Sequence, residues 1–260
     1  MKRISVLPFS LFTALSLSSC IIVPPGEVAG LLPSAKPTAI STPVATAQPS
    51  STPLPEPTAL GTPIPKPSPT AEAFSDDVTF LARWEIVDAK DVSSGPSRWS
   101  ASKGVLSQSS NIYRNDDEFN YYEGTHAVLK SPTLLQNFRL NATIKPTDND
   151  GFGLLFGYQD EQNFYRLLSV QDTVNKGPFT RLEVKRNGVY AILATDAVPL
   201  HEATQPVELQ ITVSNGQISV NVNGSQRFSV NEASFLGGRV GLLTYACSMD
   251  VSRFEVQDLN

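Results

Sequence analysis

The pattern of hydrophobic positions is organised around the stretch from Asp150 to Gln171, where the chain reads DGFGLLFGYQDEQNFYRLLSVQ. The first arm is apolar on both faces through Phe152, Leu154, Leu155 and Phe156. The second alternates Phe164, Arg166, Leu168 and Val170 against Tyr165, Leu167 and Ser169, and the polar turn 160–163 (DEQN) separates the arms. A period of two, aromatic enrichment and a polar turn predict a buried β-hairpin rather than a helix.

The same period runs on along the chain. Residues 138–144 (FRLNATI) put Phe138, Leu140, Ala142 and Ile144 on one face and Arg139, Asn141 and Thr143 on the other. The pairs Asn187-Gly188, Asn215-Gly216 and Asn223-Gly224 fall between such runs, where both residues can take the positive φ of a type I′ turn. They predict hairpins joining 181–185 to 189–193 and 207–213 to 217–222, and a turn leading into 226–230, with closing strands at 239–245 and 251–256. This spacing predicts an all-β domain of two packed antiparallel sheets. Its core is expected to include Phe138, Leu140, Ile144, Leu154, Phe156, Phe164, Leu209, Ile211, Val240, Leu242 and Phe254.

Composition sets the boundaries. Thirteen of the 20 prolines lie between Pro24 and Pro69. Residues 21–73 are rich in Pro, Ser, Thr and Ala, with too few large apolar side chains to offset the entropy of folding, so they are expected to form a disordered linker. Residues 74–260 remain as one domain, long enough for a single core. This domain carries 16 Lys and Arg against 22 Asp and Glu, and the whole chain has net charge −5 with no basic stretch. Nucleic acid is therefore not an expected partner.

Residues 1–20 (MKRISVLPFSLFTALSLSSC) have the charged start, apolar segment and small residues of an export signal. Residues 17–20 (LSSC) resemble the lipobox of bacterial lipoproteins. That resemblance implies that Cys20 is lipidated and becomes the mature N-terminus, which puts the chain in the cell envelope outside the cytoplasm, touching membrane only through its anchor. Ile21 stands where many inner-membrane lipoproteins have aspartate.

Trp99, Gly104 and Leu106 in RWSASKGVLSQSS, then Gly124-Thr125, the central hairpin, Asn187-Gly188, 238–242 (GRVGL) and Phe254 follow in an order similar to the concanavalin A-like lectin/glucanase jelly roll. Within that superfamily the chain most resembles laminin G-like domains and the thrombospondin C-terminal lectin-like domain. The resemblance implies a jelly-roll sandwich and leaves three functions open: a glycan-binding module, a protein-binding adhesion module and a glycoside hydrolase. The superfamily's glucanases place their carboxylates on one strand as Glu-x-Asp-x-x-Glu or Glu-x-Asp-x-Glu, which suits the spacing a retaining mechanism needs. No such run occurs here.

Residues 112–123 (IYRNDDEFNYYE) gather aromatic rings beside amides and acids, and rings stack on sugar C–H faces while amides take hydroxyls. Tyr113, Asn120, Tyr121 and Tyr122 are therefore the expected carbohydrate contacts, the alternative being a strand edge with tyrosines packed beneath a loop. Arg166 and Arg181 could add donors for an acidic sugar from neighbouring strands. Asp116, Asp117, Glu118 and Glu123 read as a solvated acidic turn.

Asp148 and Asp150 flank Asn149 on a Gly-containing turn. Hard oxygen ligands there suit calcium, and thrombospondin-type lectin-like domains carry an acidic cluster at the corresponding place; a solvated turn is the alternative. His126 and His201, the only histidines, have no ligand-spaced partners and do not suggest zinc or a catalytic triad. Cys247 is the only cysteine besides Cys20, so an acylated chain has no intrachain disulfide. It reads as a small buried hydrophobe. The leading expectation is a non-catalytic module for an extracellular or cell-wall glycan, with a surface protein as the other partner class.

Overall fold

The computed structural model describes residues 68–114, 122–131, 134–174, 176–200, 204–235 and 237–260. The chain divides into two compact units, Met1–Gly61 and Thr62–Asn260, and every described residue belongs to the second. Cys20 and the linker up to residue 67 lie outside the described residues, as do Asn120 and Tyr121.

Among the described residues there are fifteen strands and one helix. They begin with β1 (Thr70–Ala71), α1 (Asp77–Arg83), β2 (Trp84–Asp88), β3 (Trp99–Ser102), β4 (Val105–Gln108) and β5 (Thr125–Leu129). The central strands are β6 (Phe138–Pro146), β7 (Gly151–Asp160), β8 (Asn163–Val170), β9 (Phe179–Arg186) and β10 (Val189–Asp196). The chain closes with β11 (Val207–Ser214), β12 (Gln217–Val222), β13 (Ser225–Asn231), β14 (Arg239–Tyr245) and β15 (Met249–Asp258).

One sheet runs β13-β12-β11-β6-β15-β4-β3, with β1 added on β15; the other runs β10-β9-β8-β7-β14-β5-β2. Every pairing is antiparallel. The expected two-sheet antiparallel sandwich is the observed fold. Each Asn-Gly turn has both residues at positive φ: 49° and 83° at Asn187-Gly188, 50° and 78° at Asn215-Gly216, and 48° and 78° at Asn223-Gly224. That is the primed-turn twist a tight hairpin needs.

Thr70 and Ala71, assigned to the linker by composition, pair with Val256 and Glu255 of β15. The sheet thus extends into the Pro-rich stretch. Asp76 caps α1 by accepting the Thr79 N–H at 2.7 Å, and Phe80, the helix's buried residue, stacks on Trp84 at 5.6 Å between ring centroids. This short helix closes one end of the core.

Two apolar layers result. Between the sheets lie Phe138, Leu140, Ile144, Leu154, Phe156, Leu209, Ile211, Val240, Leu242 and Phe254, all buried as expected. Phe164 is also buried, but in a second cluster on the far side of the seven-stranded sheet, with Leu155, Tyr158, Leu168, Val170, Phe179 and Leu243. Its alternation with Tyr165 and Leu167, which face the inter-sheet core, fixes that side. Cys247 is fully buried in the inter-sheet core, and burial pushes its thiol far up.

Candidate functional site

The second apolar layer exists because the chain's own loop covers that face of the seven-stranded sheet. Gly124 permits the approach: a Cβ there would lie 2.3 Å from the Thr244 carbonyl oxygen and 2.6 Å from that of Ile112. Residues 122 and 123 consequently fold down on the sheet. Tyr122, at φ 51°, packs edge-on against Phe179 at 5.1 Å and Tyr245 at 5.2 Å.

Beneath this cover lies a charged network. On β8 and β9, Arg166 and Glu183 are register partners, and Arg166 Nε donates to Glu183 Oε2 at 2.6 Å. Arg166 Nη1 donates to the Tyr122 carbonyl at 3.3 Å and to Tyr190 Oη at 3.2 Å, and the guanidinium lies 3.9 Å from the Tyr190 ring centroid. Only 1% of the arginine is exposed, so it cannot meet a ligand. Burial opposes its charge, but Glu183 beside it outweighs that and holds the pKa above the ordinary value.

Glu123 reaches across the sheet. Its Oε1 accepts from Lys185 Nζ at 2.6 Å and Tyr190 Oη at 3.1 Å, and its Oε2 from Arg114 Nη1 at 3.3 Å. Burial pushes this carboxyl up, yet the Lys185 hydrogen bond and charge win and hold it below the usual range. The expectation of a solvated acid at Glu123 is therefore corrected: it is a buried clasp between loop and sheet. Its main partner is far along the chain, so no local pattern could have revealed it.

Beside this clasp opens a cavity of about 130 Å³ lined by Asp88, Arg114, Glu123, His126 and Lys185 among others. Two of its polar atoms are buried without a hydrogen-bond partner, His126 Nδ1 and Asp88 Oδ1. They come from neighbouring strands: His126 is the register partner of Val87, and Asp88 that of Thr125, so the imidazole lies on the far face with Phe164 while Asp88 sits at the strand end on the Thr125 side. Asp88 spends its other oxygen on the Ser97 N–H at 2.9 Å. The imidazole packs edge-on against Phe164 at 5.6 Å. Burial depresses its pKa to about 4, so it is neutral near neutrality and can donate or accept. Orphaned polar atoms on a cavity wall are hydrogen-bonding capacity that a polar ligand can use.

The expected site residues are only partly together. Tyr113 is half-buried, with its ring 6.1 Å from that of Tyr245. Tyr122 is 5% exposed and belongs to the cover. Arg181 keeps its guanidinium carbon 3.9 Å from the Phe179 ring centroid and its Nη1 3.7 Å from Glu183 Oε1. Both arginines expected to serve an acidic sugar thus share one carboxylate, and Arg166 is out of reach. His126, without ligand-spaced partners in the sequence, and Asp88, unremarked there, both line the cavity.

Asp148 and Asp150 lie on the β6–β7 turn, where the Asn149 carbonyl accepts the N–H groups of Gln171 and Asp172 at 3.0 and 2.8 Å. Asp148 caps its own turn by accepting the Asn149 N–H at 2.8 Å. No group of three or more His, Cys, Asp or Glu residues is placed to hold a metal among the described residues.

The two antiparallel sheets form a β-sandwich of the jelly-roll type. No family model and no curated relative matches the chain. Solved structures do match. A carbohydrate-binding module, CBM66 from Bacillus subtilis, aligns with TM-score 0.53 and 13% identity over 67% of this chain and 95% of its own. A Bacillus subtilis protein of unknown function with a galectin-like fold aligns with TM-score 0.50 and 13% identity over 73% and 98%. The exoplasmic/lumenal domain of VIP36, in a form bound to Ca2+ and Man3GlcNAc, aligns with TM-score 0.50 and 9% identity over 74% and 91%. At these identities the likeness is one of fold.

Proposed function

We propose that this domain is a non-catalytic carbohydrate-binding module whose ligand inserts a neutral sugar residue into the cavity between Asp88, His126 and Lys185. The observation that carries the reading is the polar cavity beside the clasp, on whose sheet face His126 Nδ1 is buried without a hydrogen-bond partner. The neighbours described as a carbohydrate-binding module and as a Man3GlcNAc complex support the same class. Neutrality follows from the charge balance. The cavity lining sets Lys90, Arg114 and Lys185 against Asp88, Glu123 and Glu161, which leaves little net positive field for a sugar carboxylate.

Binding fits better than hydrolysis. A glycosidase acid needs a raised pKa, whereas Glu123 is held down by Lys185. An adhesion surface would need a contiguous apolar patch, whereas the exposed large hydrophobics among the described residues are scattered over α1, β10 and three loops. Tyr113 is the chain neighbour of Arg114, which lines the cavity, and we propose its ring as the stacking surface. An anchor at Cys20 would hold the module in the cell envelope, within reach of extracellular glycans.

A glycan array combined with a hydrolysis assay on the same sugars tests the proposal. Asp88→Ala and His126→Phe are expected to weaken binding of neutral glycans by roughly 1 to 3 kcal/mol each, and Tyr113→Ala by a similar amount if its ring stacks. Undiminished affinity in folded Asp88 and His126 variants would remove this cavity from the site; turnover of a bound sugar would end the non-catalytic reading.

Calcium at Asp148 and Asp150, suggested by the Ca2+-bound VIP36 neighbour, is proposed only as a ligand of the folded state. Such a ligand must raise the melting temperature by mass action. An unchanged melting curve on adding either EDTA or calcium dismisses it.

A further inference from the structure

A second cavity, of about 310 Å³, opens at the rim of the sandwich, away from the sheet face just described. Its wall comes from both sheets: Val256 and Asp258 of β15 on one side, Leu129 and Val240 of β5 and β14 on the other, with Glu72 and Arg83 closing the gap. Glu72 is carried in by β1, and its N–H donates to the Phe254 carbonyl at 2.9 Å.

Three features of this wall point to a ligand. The floor is aliphatic, since Leu129, Val240 and Val256 are core side chains that give a hydroxyl-rich sugar nothing to bond. Glu72 has a side chain only 3% exposed; its Oε1 accepts from Arg83 Nη2 at 2.8 Å, while Oε2 is buried with no partner. Leaving a carboxylate oxygen bare in that setting is costly, and burial accordingly pushes the Glu72 carboxyl up against the pull of Arg83. Lys130, exposed at the rim, gives its ammonium only to the Leu81 carbonyl at 3.1 Å and meets no carboxylate among the described residues.

We propose that this rim cavity binds a small zwitterion of the α-amino acid type with an aliphatic side chain, its ammonium donating to Glu72 Oε2, its carboxylate meeting Lys130 and Arg83, and its side chain lying on Leu129, Val240 and Val256. A plain carboxylic acid leaves Oε2 bare and faces Glu72 and Asp258. A plain amine faces Lys130 and Arg83. Only a molecule with both charges close together answers both sides of the wall. The site is independent of the glycan reading.

The full-length chain titrated calorimetrically with L-leucine, 4-methylpentanoate and 3-methylbutylamine tests this. Leucine is expected to bind and to raise the melting temperature, and the acid-only and amine-only analogues to bind about tenfold or more weakly than leucine. Glu72→Gln and Lys130→Ala should each weaken leucine by about tenfold or more, since each removes a charged hydrogen bond, and leave glycan binding unchanged. Absence of any heat with leucine overturns the proposal, as does equal binding by 3-methylbutylamine or an affinity unaltered in both variants. Lys130→Ala carries the test if Glu72→Gln does not fold, because Lys130 is an exposed rim residue.

Discussion

Replacing Arg166 by Met is expected to destabilise the domain by about 3–5 kcal/mol, because it strips Glu183 of its partner and leaves a carboxylate buried beneath the loop. Glu183 is 3% exposed and lies 2.6 Å from Arg166 Nε; Arg181, the other cation near it, is 3.7 Å away. The reverse change, Glu183→Leu, should cost a similar amount by stranding the guanidinium. The double variant should recover most of the loss, since two apolar side chains of similar volume suit a face already formed by Leu155, Phe164 and Leu168. Urea unfolding of the four proteins completes the cycle. If Arg166→Met cost less than about 1 kcal/mol, the pair would be behaving as a solvated surface bridge, and the covered face inferred from it would have to be abandoned. Tyr190 adds a second readout. Its pKa stands well above the ordinary phenol value because of burial, so its titration should move down if the loop lifts when the clasp is cut.

That network marks where sequence reading stops. The hairpin of β7 and β8, the three Asn-Gly turns and the inter-sheet core were legible because each rests on a local signal: a period of two, or a dipeptide able to take positive φ. The apolar second face of β7 was legible too, through Leu155 beside Leu154 and Phe156. What covers that face was not. The cover is a loop held by Glu123 on Lys185 and by the Tyr122 carbonyl on Arg166, contacts spanning 62 and 44 positions. Nothing in IYRNDDEFNYYE distinguishes the glutamate that turns inward from the acids beside it. Aromatic content singled out the stretch 112–123, and of its rings Tyr122 serves as packing and not as a platform. Asp88 escaped notice, and His126 was noted only as lacking ligand-spaced partners, because a lone Asp and a lone His on separate strands carry no spacing signal. β1 was missed for a related reason, since two residues in a Pro-rich stretch become a strand only through pairing with β15.

Acid should loosen this same face through His126. Glu123 and Asp88 face the imidazole and favour its charged form, while Arg166 and Lys185 oppose it; burial is the largest influence, and the folded-state pKa falls from 6.5 to about 4. The unfolded chain therefore takes up a proton near pH 6.5 that the folded domain refuses until about pH 4. Where the unfolded state binds more protons, stability rises with pH. The contribution of His126 is thus fully present above pH 6.5 and is lost as the pH falls toward 4, by up to about 3 kcal/mol for a fully enclosed ring and less for one that solvent partly reaches. Glu232, which burial pushes up but Ser234 and Arg186 together hold at about 2, loses its contribution in a lower window, from about 4.5 downward. The two are separable: His126→Phe should flatten the decline between pH 6.5 and 4 and leave the steeper acid limb, whereas Glu232→Gln should do the reverse. Urea midpoints measured across that range decide it. An His126→Phe curve that parallels the wild type above pH 4 would mean that the ring is solvated and titrates as it does in the unfolded chain.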